Sequence, residues 1–350
     1  MNSNIYENLK TKLKKHTFIY SALCVFLGVH YFNKIRKQEK KGTFFILFRG
    51  ATGDNYLQCL LLNSFIKQRK LENYKILAMK PGAMECLKDI FYLSDIIFIS
   101  SRMSAAIQNA YLFMNAYGMN MQLPFYWEEE YGFTYNRCRV RMLDNFNFMD
   151  TYVYFSFNMN YPITFRKPVF NELTFQNEFL LDNQGIVKGK TVFISPDANS
   201  VTRLPVWFWN GIIRELQEKG YHCVVNCNYQ NFYRCSSYFP SYKNSVPVLE
   251  HGGYFLAIRS GFCDIVSTAK CKKVIIYPSA QEKIDYSFHR TEIEFSGFKK
   301  MELLSSDDES LVEISTPLIK NITDKTTLLE GTNDWFDFIK ELRMQILSNF

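Results

Sequence analysis

The segment Ala257 to Pro278, AIRSGFCDIVSTAKCKKVIIYP, constrains the fold more than any other part of this 350-residue chain. It begins within an apolar run of strand length ending at Ile258. A polar glycine turn (Arg259-Ser260-Gly261), a short helical pattern from Phe262 to about Lys270 and a second apolar run from Lys273 to Tyr277, stopped by Pro278, follow. Strand, glycine turn, helix and strand make a βαβ unit, and open parallel sheets bind ligands in the crevice at the carboxyl ends of their strands. The turn has parts suited to an anion. Ser260 and Gly261 allow close backbone approach, the next helix N-terminus carries partial positive charge, and Arg259 can pair with two phosphate oxygens. The same residues also fit a plain buried connection in which Gly261 only shapes the turn and Arg259 only snorkels to water.

The alternation runs through two stretches of the chain. In the first, TFFILF (43–48) reads as a strand, RGATGDN (49–55) as a glycine turn and Tyr56 to Gln68 as a helix. The strand YKILAM (74–79), a helix from Ala83 to Phe91, a strand from Asp95 to Ile99 and a helix from Ser101 to Asn115 continue it. In the second, the strand TVFISP (191–196) leads through the loop DANSVTRLP to a helix from Val206 to Lys219, then to the strand YHCVVNCN (221–228) and the βαβ segment. Such alternation predicts α/β architecture with parallel sheets covered on both faces. The length exceeds what one core usually serves. The expected domains are 42–180 and 181–330, joined through the broken polar stretch 166–190. They are preceded by a basic and apolar segment, 1–41, and followed by an amphipathic helix within 331–350, with Trp335, Phe338, Ile339, Leu342 and Ile346 on one stripe.

The charge is localised. Residues 1–41 hold nine Lys or Arg against Glu7 and Glu39, which accounts for the whole formal charge of +7 and leaves the remaining residues neutral. A nucleic-acid partner is therefore disfavoured, because its cationic excess would lie on the folded body. Between the basic clusters, His16 to Phe32 carries no formal charge and reaches ~25 Å as a helix, the lower limit for a bilayer span. Three arrangements suit it: a helix in the membrane interface, a single span, or a core helix of the folded domain. The basic flanks favour attachment to the cytoplasmic face of the cell membrane. Nine cysteines, an odd and scattered set without a zinc-like pair of pairs, point to a reducing compartment. Seventeen aromatic residues in 111–165 read most simply as packing.

Two loops then stand out as chemistry. In RGATGDN, Gly50 and Gly53 permit unusual backbone angles beside Arg49, and Asp54 falls at or next to a helix N-cap. As a cap it accepts backbone N–H groups; as a general base it takes a proton from an acceptor hydroxyl. The spacing is not GxGxxG, so a nicotinamide enzyme is a weak reading. In the second half, Asn199, Ser200, Thr202 and Arg203 supply donors on the loop after the strand 191–196. Together with Arg259 to Asp264 they could hold a diphosphate.

The GD turn after the first strand, ISPDANS...LP opening the second half and RSGFCD before the late helix together resemble the GT-B glycosyltransferases. The nearest likeness is to the heptosyltransferase-like and capsular polysaccharide families, over roughly residues 43–290. The resemblance implies two Rossmann-like domains facing a cleft. It implies a nucleotide-diphosphate sugar as substrate, held by the C-terminal domain, with no other cofactor, and a glycan or lipid-linked acceptor addressed by the N-terminal domain. Asp54 matches the catalytic base; Asn199, Ser200 and Arg203 match the phosphate loop; Ser260, Gly261 and Asp264 match the donor turn. Catalysis of this kind needs no metal. Two departures stand against the pattern: the usual Lys-Trp-Pro reads Arg203-Leu204-Pro205, and the late His is replaced by the neighbourhood of Cys263-Asp264. A non-catalytic, membrane-attached scaffold that kept the fold is the alternative.

Overall fold

A strand that is apolar at every position must be covered on both faces, and Phe44–Phe48 takes such a place in the middle of a sheet. The computed structural model describes residues 17–49, 51–116, 118–123, 151–198, 204, 206–227, 232–277, 311–315 and 333–350. The first elements are α1 (Thr17–Arg36), β1 (Phe44–Phe48), α2 (Thr52–Gln68), β2 (Tyr74–Lys80), α3 (Met84–Phe91), β3 (Ile96–Ser100), α4 (Ser101–Ala116) and β4 (Met121–Gln122). After a π-helical turn at Thr151–Ser156 come α5 (Phe175–Asn183), β5 (Thr191–Ser195), α6 (Val206–Glu218), β6 (His222–Val225), β7 (Ser236–Ser237) and α7 (Tyr242–Gly252). The remainder are β8 (Gly253–Ile258), α8 (Gly261–Ile265), β9 (Lys272–Tyr277), β10 (Leu311–Ser315) and α9 (Asn333–Leu347).

The described residues fall into two compact units, one holding those up to 123 together with Tyr152–Lys167 and the other holding Thr151 and those from Pro168 onward. The first contains a four-stranded sheet in the order β3-β2-β1-β4, the second a six-stranded sheet in the order β10-β9-β8-β5-β6-β7. Every described strand pair is parallel. Counted within its unit, the second sheet has the doubly wound dinucleotide-fold order, and the first has that order's opening four strands. In each, the chain steps outward on one side and then returns to the other side of the first strand, beside β1 in one unit and β5 in the other.

In the first unit, Phe45 and Leu47 of β1 pack with Ile107, Ala110, Tyr111 and Met114 of α4 and with Phe32 and Ile35 of α1. Helix α1 is thus built into the first unit, the core-helix arrangement of the three. Gly28 shows how closely: an added Cβ would lie 2.0 Å from the Ala106 carbonyl oxygen and 2.6 Å from Ala110 Cβ, so the two backbones touch there. No described helix is long and apolar enough to cross a membrane, which corrects the spanning arrangement, and the helix is part of the folded unit rather than a segment apart from it.

The second core lies on one face of its sheet. Val192, Ile194, Val225, Leu256, Ile258, Val274 and Ile276 meet Phe208, Trp209, Ile212, Ile213 and Leu216 of α6 and Leu342, Ile346 and Leu347 of α9. The C-terminal stripe therefore docks on the second unit through its last turns, reinforced by an ion pair of Arg343 with Glu215 and by Lys219 Nζ donating to the Leu347 carbonyl at 2.9 Å. The side chains of Trp335, Phe338 and Ile339 lie outside the described residues. On the other face, α7 ends at Gly253 in a left-handed conformation (φ 92°) that a side chain rarely adopts, and β8 starts there without a loop.

Three boundaries differ from expectation. Residue 180 is no break, because α5 continues through it and belongs to the second unit. Leu181 is buried there, and Asp182 Oδ1 lies 3.5 Å from Nε2 of the buried His251 on α7. The acidic stretch near 305–313 runs into β10, which pairs with β9. The late helix is the five-residue α8 rather than a run to Lys270.

Candidate functional site

In the first unit the strand order reverses between β1 and β4, so the turn after β1 opens at the edge where such sheets bind ligands. Helix α2 begins earlier than its apolar periodicity indicates, at Thr52 with Ala51 as N-cap, which puts Asp54 in its first turn. Asp54 Oδ2 accepts the Ala51 N–H at 2.9 Å. Alanine has no oxygen with which to reciprocate, so this is the carboxylate half of a capping box. The other oxygen, Oδ1, accepts the Tyr152 hydroxyl at 2.5 Å. Asp54 is half-buried, whereas Tyr152 is fully buried.

Tyr152 was not legible as a site residue, because it sits in the aromatic-rich middle of the chain and reads there as packing. What aims it is the π-helical turn. Gln122 Nε2 of β4 donates to the Ser156 carbonyl at 2.8 Å, Phe157 N donates to the Tyr152 carbonyl at 2.9 Å, and Phe157 packs on Phe65 of α2 with ring centroids 5.1 Å apart. The turn is thus held to both elements that flank the crevice. Arg49 is half-buried, its carbonyl accepting from Gln58 Nε2 at 3.3 Å, and Gly53 is buried. Gly50 lies outside the described residues.

In the second unit the reversal falls between β5 and β8, with Ser195 in register with Ala257. Two predicted loops therefore leave the same edge from adjacent strands. Of the first, Ser195 and Pro196 are buried and Asp197 is half-buried; Asn199, Ser200, Thr202 and Arg203 lie outside the described residues. The second begins with Arg259, whose N–H continues the sheet by donating to the Ile276 carbonyl at 2.8 Å. Its guanidinium is turned inward: Nη1 donates to Asp264 Oδ2 at 3.0 Å and Nη2 to Asp264 Oδ1 at 2.6 Å. The pair is nearly dry, with 12% of the Arg259 side chain and 3% of the Asp264 side chain exposed. One positive and one negative charge thus cancel within the turn, and the geometry is the two-pronged one that guanidinium also offers to phosphate.

Ser260 is extended (φ −148°, ψ 171°) and caps α8, its carbonyl accepting from Cys263 N at 3.0 Å, and Gly261 opens the helix. With five residues, α8 aligns few peptide dipoles, which weakens the anion argument drawn from its N-terminus. Phe262 anchors α8 to the sheet, its ring 6.2 Å from Phe193 and 5.9 Å from Phe255. Beneath it Cys263 is buried, and loss of hydration pushes its thiol pKa up. Among the described residues no three His, Cys, Asp or Glu side chains group as a metal site would require.

Each unit is thus a parallel α/β sheet in which a candidate turn leaves a strand beside the unit's own strand-order reversal. No protein-family model matches the chain, and no curated protein matches it. Among solved structures, the chain is similar to the ADP-heptose lipopolysaccharide heptosyltransferase II of E. coli, at 11% identity over 87% of this chain and 99% of that one, with a TM-score of 0.46. It is also similar to a glycosyl transferase family 9 protein of Veillonella parvula, at 9% identity over 87% and 97%, with a TM-score of 0.48. A third is the E. coli heptosyltransferase WaaC with ADP, at 10% identity over 85% and 99%, with a TM-score of 0.46.

Proposed function

We propose that the protein is a glycosyltransferase that moves a sugar from a nucleotide-diphosphate donor to a surface-polysaccharide or lipid-linked acceptor at the cytoplasmic face of the cell membrane. The observation that carries this reading is the second unit's reversal point, where the loops after β5 and β8 leave adjacent strands at one edge. That is where doubly wound sheets hold nucleotides. In this reading the loop after β5, with Asn199, Ser200 and Arg203, and the turn Arg259-Ser260-Gly261 bind the diphosphate. Arg259, set in place by Asp264, stabilises the charge of the leaving nucleotide diphosphate. Asp54 of the first unit takes the acceptor hydroxyl proton as the new glycosidic bond forms. Arg49, Gly50 and Gly53 shape the turn that carries it. No metal is assigned a role.

Titrating the full chain with nucleoside diphosphates and nucleotide sugars by calorimetry tests the donor assignment. A saturable heat with one nucleotide family is expected, and none with any of them would overturn it. Asp54→Asn is then expected to keep that heat and to lose transfer by about 10²- to 10⁴-fold, the usual contribution of a general base. The non-catalytic scaffold has one observation in its favour, the inward pairing of Arg259 with Asp264, and it predicts that no nucleotide diphosphate binds.

A further inference from the structure

The two sides of α1 are chemically different, and only one of them is used by the fold. Gly28, Phe32 and Ile35 form the seam packed into the first unit. On the opposite side stand Leu23 and Phe26, 41% and 68% exposed, followed by His30 and Lys34, both exposed. Their spacing of three, four and four residues puts all four on one stripe. The stripe continues past the last helical residue, because Lys37 N donates to the Asn33 carbonyl at 3.1 Å and keeps the turn going. Lys34, Arg36, Lys37, Lys40 and Lys41 are all exposed, and the lone acid among residues 22–49 is the half-buried Glu39.

We infer that this outer stripe is a lipid-docking surface that lays α1 in the plane of an anionic bilayer. Leu23 and Phe26 enter the boundary between headgroups and acyl chains, while the basic residues meet the anionic headgroups. The arrangement explains how a helix with one side sealed into a protein core still presents a large aromatic side chain to solvent, ahead of five exposed cations along the same stretch of chain. Charge complementarity selects the occupant, since such a cationic cluster is attracted by phosphatidylglycerol or phosphatidylserine and not by phosphatidylcholine alone. The inference deepens the proposed function by seating the first unit on the surface that would carry a lipid-linked acceptor.

The test is co-sedimentation of the full chain with vesicles of phosphatidylcholine and of phosphatidylcholine mixed with phosphatidylglycerol, at low and high sodium chloride. Binding to the mixed vesicles that weakens with salt is expected. The double variant Leu23→Ser/Phe26→Ser should bind them about tenfold or more weakly, and Lys34→Gln/Arg36→Gln/Lys37→Gln should lose most of the preference for anionic lipid. Unchanged melting temperatures show that both variants are folded. Equal binding by wild type and variants would overturn the inference, as would no binding to either vesicle. So would a dimer in light scattering that the Leu23→Ser/Phe26→Ser change splits, because a second copy would then own the stripe. Donor calorimetry on the same samples separates the two ideas: lipid binding without donor heat removes sugar transfer alone, and donor heat without lipid binding removes this docking alone.

Discussion

Each oxygen of the Asp54 carboxylate accepts a hydrogen bond from a group held in place, the Ala51 N–H on one side and the Tyr152 hydroxyl on the other. If Asp54 is the proposed base, a carboxylate oriented in this way loses little freedom when a substrate arrives. Tyr152→Phe removes one tether without touching the carboxylate. It is expected to lower kcat by about 10- to 100-fold with the donor KM unchanged, because mispositioning costs rate rather than binding. Arg259 and Asp264 form a nearly dry pair, and removing one partner strands the other charge. Arg259→Ala or Asp264→Ala should each cost about 3–5 kcal/mol in denaturant unfolding, and the double variant should cost less than the two together. Among the described cysteines, Cys86 is the exposed one. Burial raises the pKa of Cys59 and Cys263 and pushes Cys271 up to about 12 from an ordinary 9.0. Iodoacetamide at mildly alkaline pH should therefore label Cys86 well before these three. Since the folded values lie above the unfolded ones, the stability tied to these thiols is full below pH 9.0 and is lost as the pH climbs toward the folded values.

At the scale of elements, helix α1 and its partner α4 meet backbone to backbone at Gly28. Gly28→Val would drive atoms into the Ala106 carbonyl, a main-chain group that cannot turn aside. A loss of about 1–3 kcal/mol or more and faster proteolysis within residues 17–41 are expected, by the usual cost of overpacking. The βαβ element around Arg259 shows a different dependence. The inner stretches of its strands, residues 255–258 of β8 and 274–276 of β9, are apolar and buried and form wherever a sheet covers them. Helix α8 stops at Ile265, where the Val266 N–H still bonds back to Phe262 and Ser267 Oγ then takes the Asp264 carbonyl at 2.8 Å. A serine hydroxyl bonding the backbone locally offers an alternative to a further helical turn.

For the whole molecule, two units with separate cores should unfold in more than one step. Scanning calorimetry of the full chain is expected to show two transitions, or one whose calorimetric enthalpy exceeds its van't Hoff value. A bound nucleotide diphosphate at about 100 times its dissociation constant should raise the second unit's transition by about 2.7 kcal/mol of stability and leave the other nearly in place. A single two-state transition, shifted as a whole by ligand, would contradict that assignment of the donor to the second unit.

The α/β class, the two sheets and the edge on which each candidate turn lies followed from the amino-acid sequence by itself. Runs such as FFILF and FLAI can be buried only as interior strands, and a helix between two such runs makes them parallel. Local pattern also marked Asp54 as a residue beside a helix N-cap and Arg259 as one at a strand end. What tertiary structure alone decided is the company those residues keep. Tyr152 reaches Asp54 across 98 residues of chain through a turn anchored on β4 and α2. The inner face of α1 became core because α4 presents Ala106 and Ala110 to Gly28. Contacts of this kind depend on where distant backbone comes to rest, and neither periodicity nor residue type carries that information.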